Sequence, residues 1–319
     1  MDIAAPSTVA PIDESKFRDP LTTAKGEARA SVSLKTLNTL WINTGTLCNL
    51  TCVNCYIESS PTNDRLVYIT TDEVRAYLDE IAADGLDTEE IGYTGGEPFM
   101  NPDVIAMIDE AVSQGFKVLV LTNAMKPMLN KRDALKQIQD RFGDALSLRI
   151  SIDHFTQEGH EHIRGQNTWP PMIEGLRWLG ENGFDIAIAG RTCWDESEEQ
   201  ARTGYREFFA SESIPVDADS PAKLVLFPEM DVDVDVPEIT TSCWNILDVS
   251  PDAMMCASSR MIVKRKGADS PVVVPCTLLP YDPSFEMGST LADAPDTVHL
   301  NHPHCAKFCV LGGASCSPD

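Results

Sequence analysis

Along the chain, short apolar runs of strand length alternate with longer stretches whose apolar residues recur every three to four positions. Thr39 to Thr44 reads as a strand. Thr70-x-x-Glu73 has the form of a capping box, in which two side chains each satisfy a backbone N–H left free at a helix start. Val74, Leu78 and Ile81 follow at helical spacing, and Gly85 supplies a stop. Ile91 to Thr94 is the next strand and runs into Gly95-Gly96-Glu97-Pro98. Asn101 is expected to cap the following helix, with Pro102 at its first position and Ile105, Ile108 and Val112 on its apolar face. Lys117 to Leu121 is almost continuously apolar, as a strand covered on both faces should be. The unit then repeats: helix 129–142, strand Leu146 to Ile152, helix 169–182, strand Ile186 to Ala189, helix 196–210, strand Lys223 to Phe227.

Strands alternating with helices of this length mean an α/β chain with a parallel sheet of βαβ units. Six units predict a partial, TIM-like (β/α)6 barrel, with its chemistry at the C-terminal ends of the strands. Residues 1–37 read as an irregular lead-in, 38–228 as the barrel, and 229–319 as an acidic linker followed by a small cysteine-rich extension. In that extension, Met261 to Val263 and Val272 to Val274 are joined through Lys264-Arg265-Lys266-Gly267 and read as a β-hairpin with a basic tip. Asp231 to Val236 alternates acid and valine, as a solvated edge strand would.

Charge narrows the choice of partners. Lys and Arg number 25 against 49 Asp and Glu, a net −24 over 319 residues. Such a surface repels phosphate backbones and anionic headgroups, so neither nucleic acid nor membrane is expected as a partner. The start of the chain has no basic stretch followed by an apolar run, and no stretch approaches the ~20 apolar residues of a membrane span. Ten cysteines in such a chain point to reduced, metal-binding thiols and a cytoplasmic location rather than to disulfides.

Three of those cysteines lie together as Cys48-x3-Cys52-x2-Cys55, on a loop directly after the first strand. Three thiolates can hold three irons of a [4Fe–4S] cube and leave the fourth iron open to a ligand. A structural zinc site uses four ligands, usually as paired cysteines, and this loop has three at unequal spacing. Cys48-x3-Cys52-x2-Cys55-Tyr56, followed on the next strand by Gly95-Gly96-Glu97-Pro98, resembles the radical S-adenosylmethionine (SAM) enzymes. The resemblance extends over about residues 40–210 and implies that the open iron is chelated by the amino and carboxylate groups of SAM. It places the methionine end of SAM at Gly95 and Gly96 with Glu97 in support. It also places polar cofactor contacts at Thr122 and Asn123, and the carboxylate and ribose near Ser151 and Asp153. Arg191 is implied as a fork donor to the carboxylate, or as an ion-pair partner of Asp195. Where many members have an aromatic residue against the adenine this chain has Asn54, and Tyr56 is the substitute.

The remaining cysteines cluster late: Cys256-x19-Cys276, then Cys305-x3-Cys309-x6-Cys316. A cysteine-flanked hairpin and a cysteine-bearing return segment resemble the SPASM/twitch extension, which implies a second, auxiliary [4Fe–4S] cluster. Cys256, Cys276, Cys305 and Cys309 are its expected ligands, with Cys316 in reserve, and four thiolates would equally suit a structural zinc. Cys193 reads as a buried strand-end thiol, and His154, His160, His162, His302 and His304 as candidate proton donors or solvated loop residues. The implied activity is reductive cleavage of SAM by an external one-electron donor of the flavodoxin or ferredoxin type, then hydrogen abstraction from a substrate. Residues 1–35 are too short for a peptide-leader-binding domain, so a small molecule, or a peptide delivered by another protein, is the expected substrate. The rival expectation is a non-catalytic iron–sulfur or zinc protein acting as scaffold or electron carrier.

Overall fold

A computed structural model describes residues 11–192, 194–228 and 233–312. After a three-residue strand β1 (Ser31–Ser33), six strands run parallel and in sequence order: β2 (Thr39–Asn43), β3 (Glu90–Thr94), β4 (Lys117–Thr122), β5 (Leu146–Ser151), β6 (Asp185–Arg191) and β7 (Leu224–Phe227). Helices α1 (Thr71–Asp84), α2 (Val104–Ser113), α3 (Lys126–Leu129), α4 (Arg132–Phe142), α5 (Gln157–Arg164), α6 (Trp169–Glu181) and α7 (Glu198–Glu212) connect them. This is the expected partial barrel. The extension carries its sheet further: β8 (Ser259–Val263) runs parallel along the free edge of β2, and β9 (Val272–Val274) returns antiparallel, for eight strands in the order β7-β6-β5-β4-β3-β2-β8-β9.

Local chemistry sets these elements. The Thr70–Glu73 capping box forms as expected, and Gly85 ends α1 in the left-handed conformation at φ 62°. Inside the barrel the register brings Trp41 beside Gly92 and Gly92 beside Leu119. The indole lies over the position where residue 92 would carry a side chain, and a Cβ there would stand 2.4 Å from the ring. A wide side chain and an absent one thus share one layer of the barrel floor.

Three regions differ from the sequence expectation. Asn101 does not cap α2, which starts at Val104 behind Asp103. A 3-10 turn at Pro98–Met100 draws Asn101 into the interior, where its amide donates to the Thr44 and Ile69 carbonyls (3.0 and 2.9 Å). The expected helix over 129–142 starts three residues later, as α4, and a short helix not foreseen, α3, precedes it. A helix not foreseen, α5, precedes α6; Thr156 caps it by accepting from the Gly159 N–H (3.2 Å).

Residues near the start of the chain pack onto the extension. β1 pairs antiparallel with β10 (Thr297–His299). Arg29 forms a largely buried ion pair with Glu238 (2.6 Å), and Lys16 reaches Asp235 (2.7 Å). Two acids that looked solvated therefore have partners from the lead-in, and residues 233–236 form no strand. Residues 229–232 lie outside the described residues. The β8–β9 hairpin forms as expected, and its basic tip is neutralised: Lys264 pairs with Glu73, Arg265 with Glu286 and Lys266 with Asp64.

Gly92→Ala should destabilise the fold by about 1–3 kcal/mol through overpacking against Trp41. Chemical denaturation checks this. A second change, Trp41→Leu, should recover part of the loss, and strictly additive effects of the two changes would refute the contact.

Candidate active site

The cysteine loop leaves the C-terminal end of β2 and lies against the turn that follows β3. Gly96 N–H donates to the Gly45 carbonyl (2.8 Å), Glu97 N–H to the Leu47 carbonyl (3.1 Å), and Cys48 N–H to Ser60 (3.0 Å). A Cβ at Gly96 would stand 2.2 Å from the Leu47 oxygen, and one at Gly95, where φ is 135°, 2.4 Å from the Gly45 oxygen. The two glycines, where the resemblance places the methionine end of SAM, thus also allow two backbones to dock. Both also border the cavity described below.

Glu97 is buried, and both of its oxygens are engaged. Thr122 Oγ1 donates to one (2.8 Å) and the Asn123 N–H to the other (2.9 Å). The carboxylate thereby ties the end of β3 to the end of β4. Asn123 Nδ2 continues the chain of bonds to Asn49 Oδ1 on the cysteine loop (3.0 Å). Burial pushes the Glu97 carboxyl up to about 7 against these hydrogen bonds.

Beyond β5, Asp153 is buried between two arginines. Arg164, on α5, donates to one carboxylate oxygen and Arg191, at the end of β6, to the other (2.9 Å). Burial would raise the Asp153 carboxyl, but the two guanidinium charges outweigh it and hold it below the usual carboxylate range. Arg191 therefore pairs with Asp153. Arg191 also donates to the Val53 carbonyl (3.3 Å), and the Val53 N–H donates to Ile163 (2.8 Å), so β6 and α5 both hold the cysteine loop.

Cys48, Cys52 and Cys55 border one cavity of about 1090 Å³, counted out to its open mouth. So do Tyr56, Gly95, Gly96 and Glu97 on one side, and Thr122, Asn123, Ser151, Asp153 and Arg191 on the other. The structure thus brings together every residue that the resemblance assigned to SAM. It adds Arg149 and Arg164, and Leu278 and Phe308 from the extension, which the sequence reading missed. Arg164 was hidden because α5 carries a single aliphatic residue, Ile163; the one available signal was Thr156 as its cap. Phe308 stacks on Phe227 at the tip of β7 (centroids 5.6 Å apart).

The histidines stand elsewhere. His154 is held by Thr156 (2.7 Å) and Glu196 (3.1 Å), His160 is buried beside Trp169, and His162 is exposed. None of the three borders the cavity.

In the extension, Cys256, Cys276, Cys305 and Cys309 border one smaller cavity of about 350 Å³. Cys243 lies apart from it and accepts from the Thr240 N–H (3.3 Å). Cys193 and Cys316 lie outside the described residues. His304 borders the smaller cavity, and burial pushes its pKa down to about 3; that of His302 falls to about 4 for the same reason. Leu278 borders both cavities and is a wall between them.

Both thiol sets suit iron by donor chemistry. Burial pushes the Cys48 thiol up to about 12 and Cys256 to about 11, so bare thiols would stay neutral; bound iron supplies the positive charge that deprotonates them. Leu50 N–H points at Cys48 Sγ (3.4 Å), a bond that suits a cluster sulfur. Ser59 Oγ, buried at the larger cavity, has no hydrogen-bond partner among the described residues. Among those residues no three His, Cys, Asp or Glu side chains converge on a point where one ion could sit.

Residues 42–200 match the family model of the Radical SAM superfamily. The chain belongs to that superfamily, a family of enzymes that bind SAM and a [4Fe–4S] cluster. It is 29% identical over 143 residues to the antilisterial bacteriocin subtilosin biosynthesis protein AlbA of Bacillus subtilis, a match covering 44% of this chain and 30% of AlbA. It is 30% identical over 162 residues to the AdoMet-dependent heme synthase of Methanosarcina barkeri, covering 49% and 43%. The chain thus spans less than half the length of these relatives. In fold it is similar to SuiB of Streptococcus suis bound to SAM, with a TM-score of 0.57 at 14% identity over 80% of this chain and 63% of SuiB. No helix among the described residues is long and apolar enough to cross a membrane.

The buried Glu97 predicts a pH signature of the metal-free protein. The folded chain holds this proton up to about pH 7, against an ordinary value of 4.5 in the unfolded chain. Its contribution is intact below the lower value and is lost as pH rises through the higher one. Between about pH 5 and pH 8 the wild type should lose up to about 3 kcal/mol more stability than Glu97→Gln. Denaturant titrations at both pH values check this, and parallel losses in the two proteins would refute it.

Proposed function

We propose that the chain reductively cleaves SAM and uses the resulting 5′-deoxyadenosyl radical to take a hydrogen atom from a substrate held in the larger cavity. The observation that carries this reading is the convergence on one cavity of three loop thiols, the docked glycine turn and the tips of successive strands. An external one-electron donor supplies the electron that breaks the C5′–S bond; methionine and 5′-deoxyadenosine leave.

The residues divide this work. Cys48, Cys52 and Cys55 would hold the first cluster, and the Glu97 brace keeps the tips of β3 and β4 in register with that loop. The Asp153–Arg164–Arg191 group fixes the opposite rim and leaves it cationic, as suits the carboxylate of SAM and an anionic cluster. Leu121, Phe227, Leu278 and Phe308 give the cavity an apolar side that excludes water from a radical.

Cys256, Cys276, Cys305 and Cys309 would hold an auxiliary [4Fe–4S] cluster, which when bound would supply an acceptor for the electron left on the substrate radical as a proton goes to solvent. Support for this comes from Leu278, a single side chain shared by the two cavities. The substrate is a small molecule or a peptide side chain presented by a separate protein. The relative concerned with a bacteriocin, AlbA, favours the peptide.

Anaerobically reconstituted protein should bind about eight irons, and about four after Cys48, Cys52 and Cys55 are all changed to Ala. The triple variant should form no 5′-deoxyadenosine from SAM under reduction; formation at the wild-type rate would end this reading. Cys256→Ala or Cys305→Ala should lower the iron content and the product yield while SAM cleavage continues. A substrate-derived nitrogen or oxygen ligand appearing on the auxiliary cluster by Mössbauer spectroscopy would instead make that cluster a substrate site.

A further inference from the structure

Arg260 occupies an unusual position for a guanidinium. It lies on β8, four residues after Cys256 of the smaller cavity, and is 1% exposed. Its bonds go to backbone carbonyls: Nη1 donates to Cys256 (2.7 Å) and Ser259 (2.8 Å), and Nη2 to Asp296 (3.0 Å). Nε has no hydrogen-bond partner among the described residues. Among the described residues no carboxylate forms an ion pair with it: Asp296 bonds it through its backbone oxygen, and the exposed Asp296 carboxylate acts on its charge after the thiols of Cys256 and Cys276. By contrast, the buried Arg29 pairs with Glu238 and the largely buried Arg164 with Asp153. A permanent cation buried without a counter-charge is costly, and proteins pair such groups.

The anions that could balance it are the cysteines of this cavity. Arg260 bonds the backbone of Cys256, and its charge acts on the thiols of Cys256 and Cys276. Four thiolates on an oxidised [4Fe–4S] core make a dianion, and one-electron reduction makes a trianion. A nearby buried cation favours the more negative state, and net charge is one of the levers that set cluster potentials. We propose that Arg260 is the built-in counter-charge of the auxiliary cluster and raises its reduction potential, so that it is poised to take an electron. This rests on the auxiliary-cluster reading above.

The test uses the full chain with Cys48, Cys52 and Cys55 changed to Ala, so that only the second site can load. The reduced fraction is followed by EPR during a redox titration. Arg260→Gln should lower the reduction equilibrium about tenfold, a downward shift of ~59 mV for a one-electron couple. Arg260→Lys, which keeps the charge and gives up the fork of carbonyl bonds, should stay near the parent. Arg260→Met serves as a second neutral variant where the glutamine protein does not load. An unchanged potential in the neutral variants, or a lysine variant shifted as far as they are, would overturn the role of Arg260 while the cluster stands. A parent protein that binds no iron would overturn the cluster reading itself, and this inference with it.

Discussion

Two backbones meet without side chains between them where Gly95 and Gly96 lie against residues 45–47, and the geometry of the site depends on that contact. A Cβ at Gly96 would fall 2.2 Å from a carbonyl oxygen, too close for local relaxation to absorb. The docking sets how far the cysteine loop stands from the tips of β3 and β4, and so where the three thiols point. Glu97 follows directly and turns the same contact into a polar brace across two strands. Its burial raises its own pKa, a cost accepted in exchange for fixing Thr122 and Asn123.

The loop has a second set of supports from distant parts of the chain. Tyr281, in the extension, donates from its hydroxyl to the Ile57 carbonyl, and the Arg65 guanidinium lies 3.7 Å over its ring. From the other side, α5 and β6 bond the backbone of Val53. A loop with positive φ at Asn54 and Glu58 is thus held from both flanks, which suits a site that must keep three ligands in place.

Periodicity made the barrel legible because each strand is a short apolar run and most helices bury one stripe. It failed at α5, where Gly159, His160 and Glu161 are buried in place of an aliphatic face. It also failed at Asn101, where capping preference was outweighed by two buried bonds. The cysteine and glycine motifs marked one side of the cavity because their chemistry is local. Arg164, Leu278 and Phe308 were invisible for the opposite reason: each reaches the cavity from an element whose placement only the tertiary fold decides. The pairing of the acidic segment with Lys16 and Arg29 was hidden in the same way, across more than 200 positions of sequence.

The β8 strand lies along β2, the strand from which the cysteine loop emerges. β2 is therefore an interior strand, bonded to β3 on one side and to the extension on the other. The barrel and the cysteine-rich extension share one hydrogen-bonded ladder and cannot separate as beads on a string. Loosening at the second thiol cavity would be transmitted through β8 to the root of the loop that carries the first three thiols. The two thiol cavities, which already share Leu278, are thereby also joined mechanically, and the stiffness of each becomes a property of the sheet as much as of its cysteines.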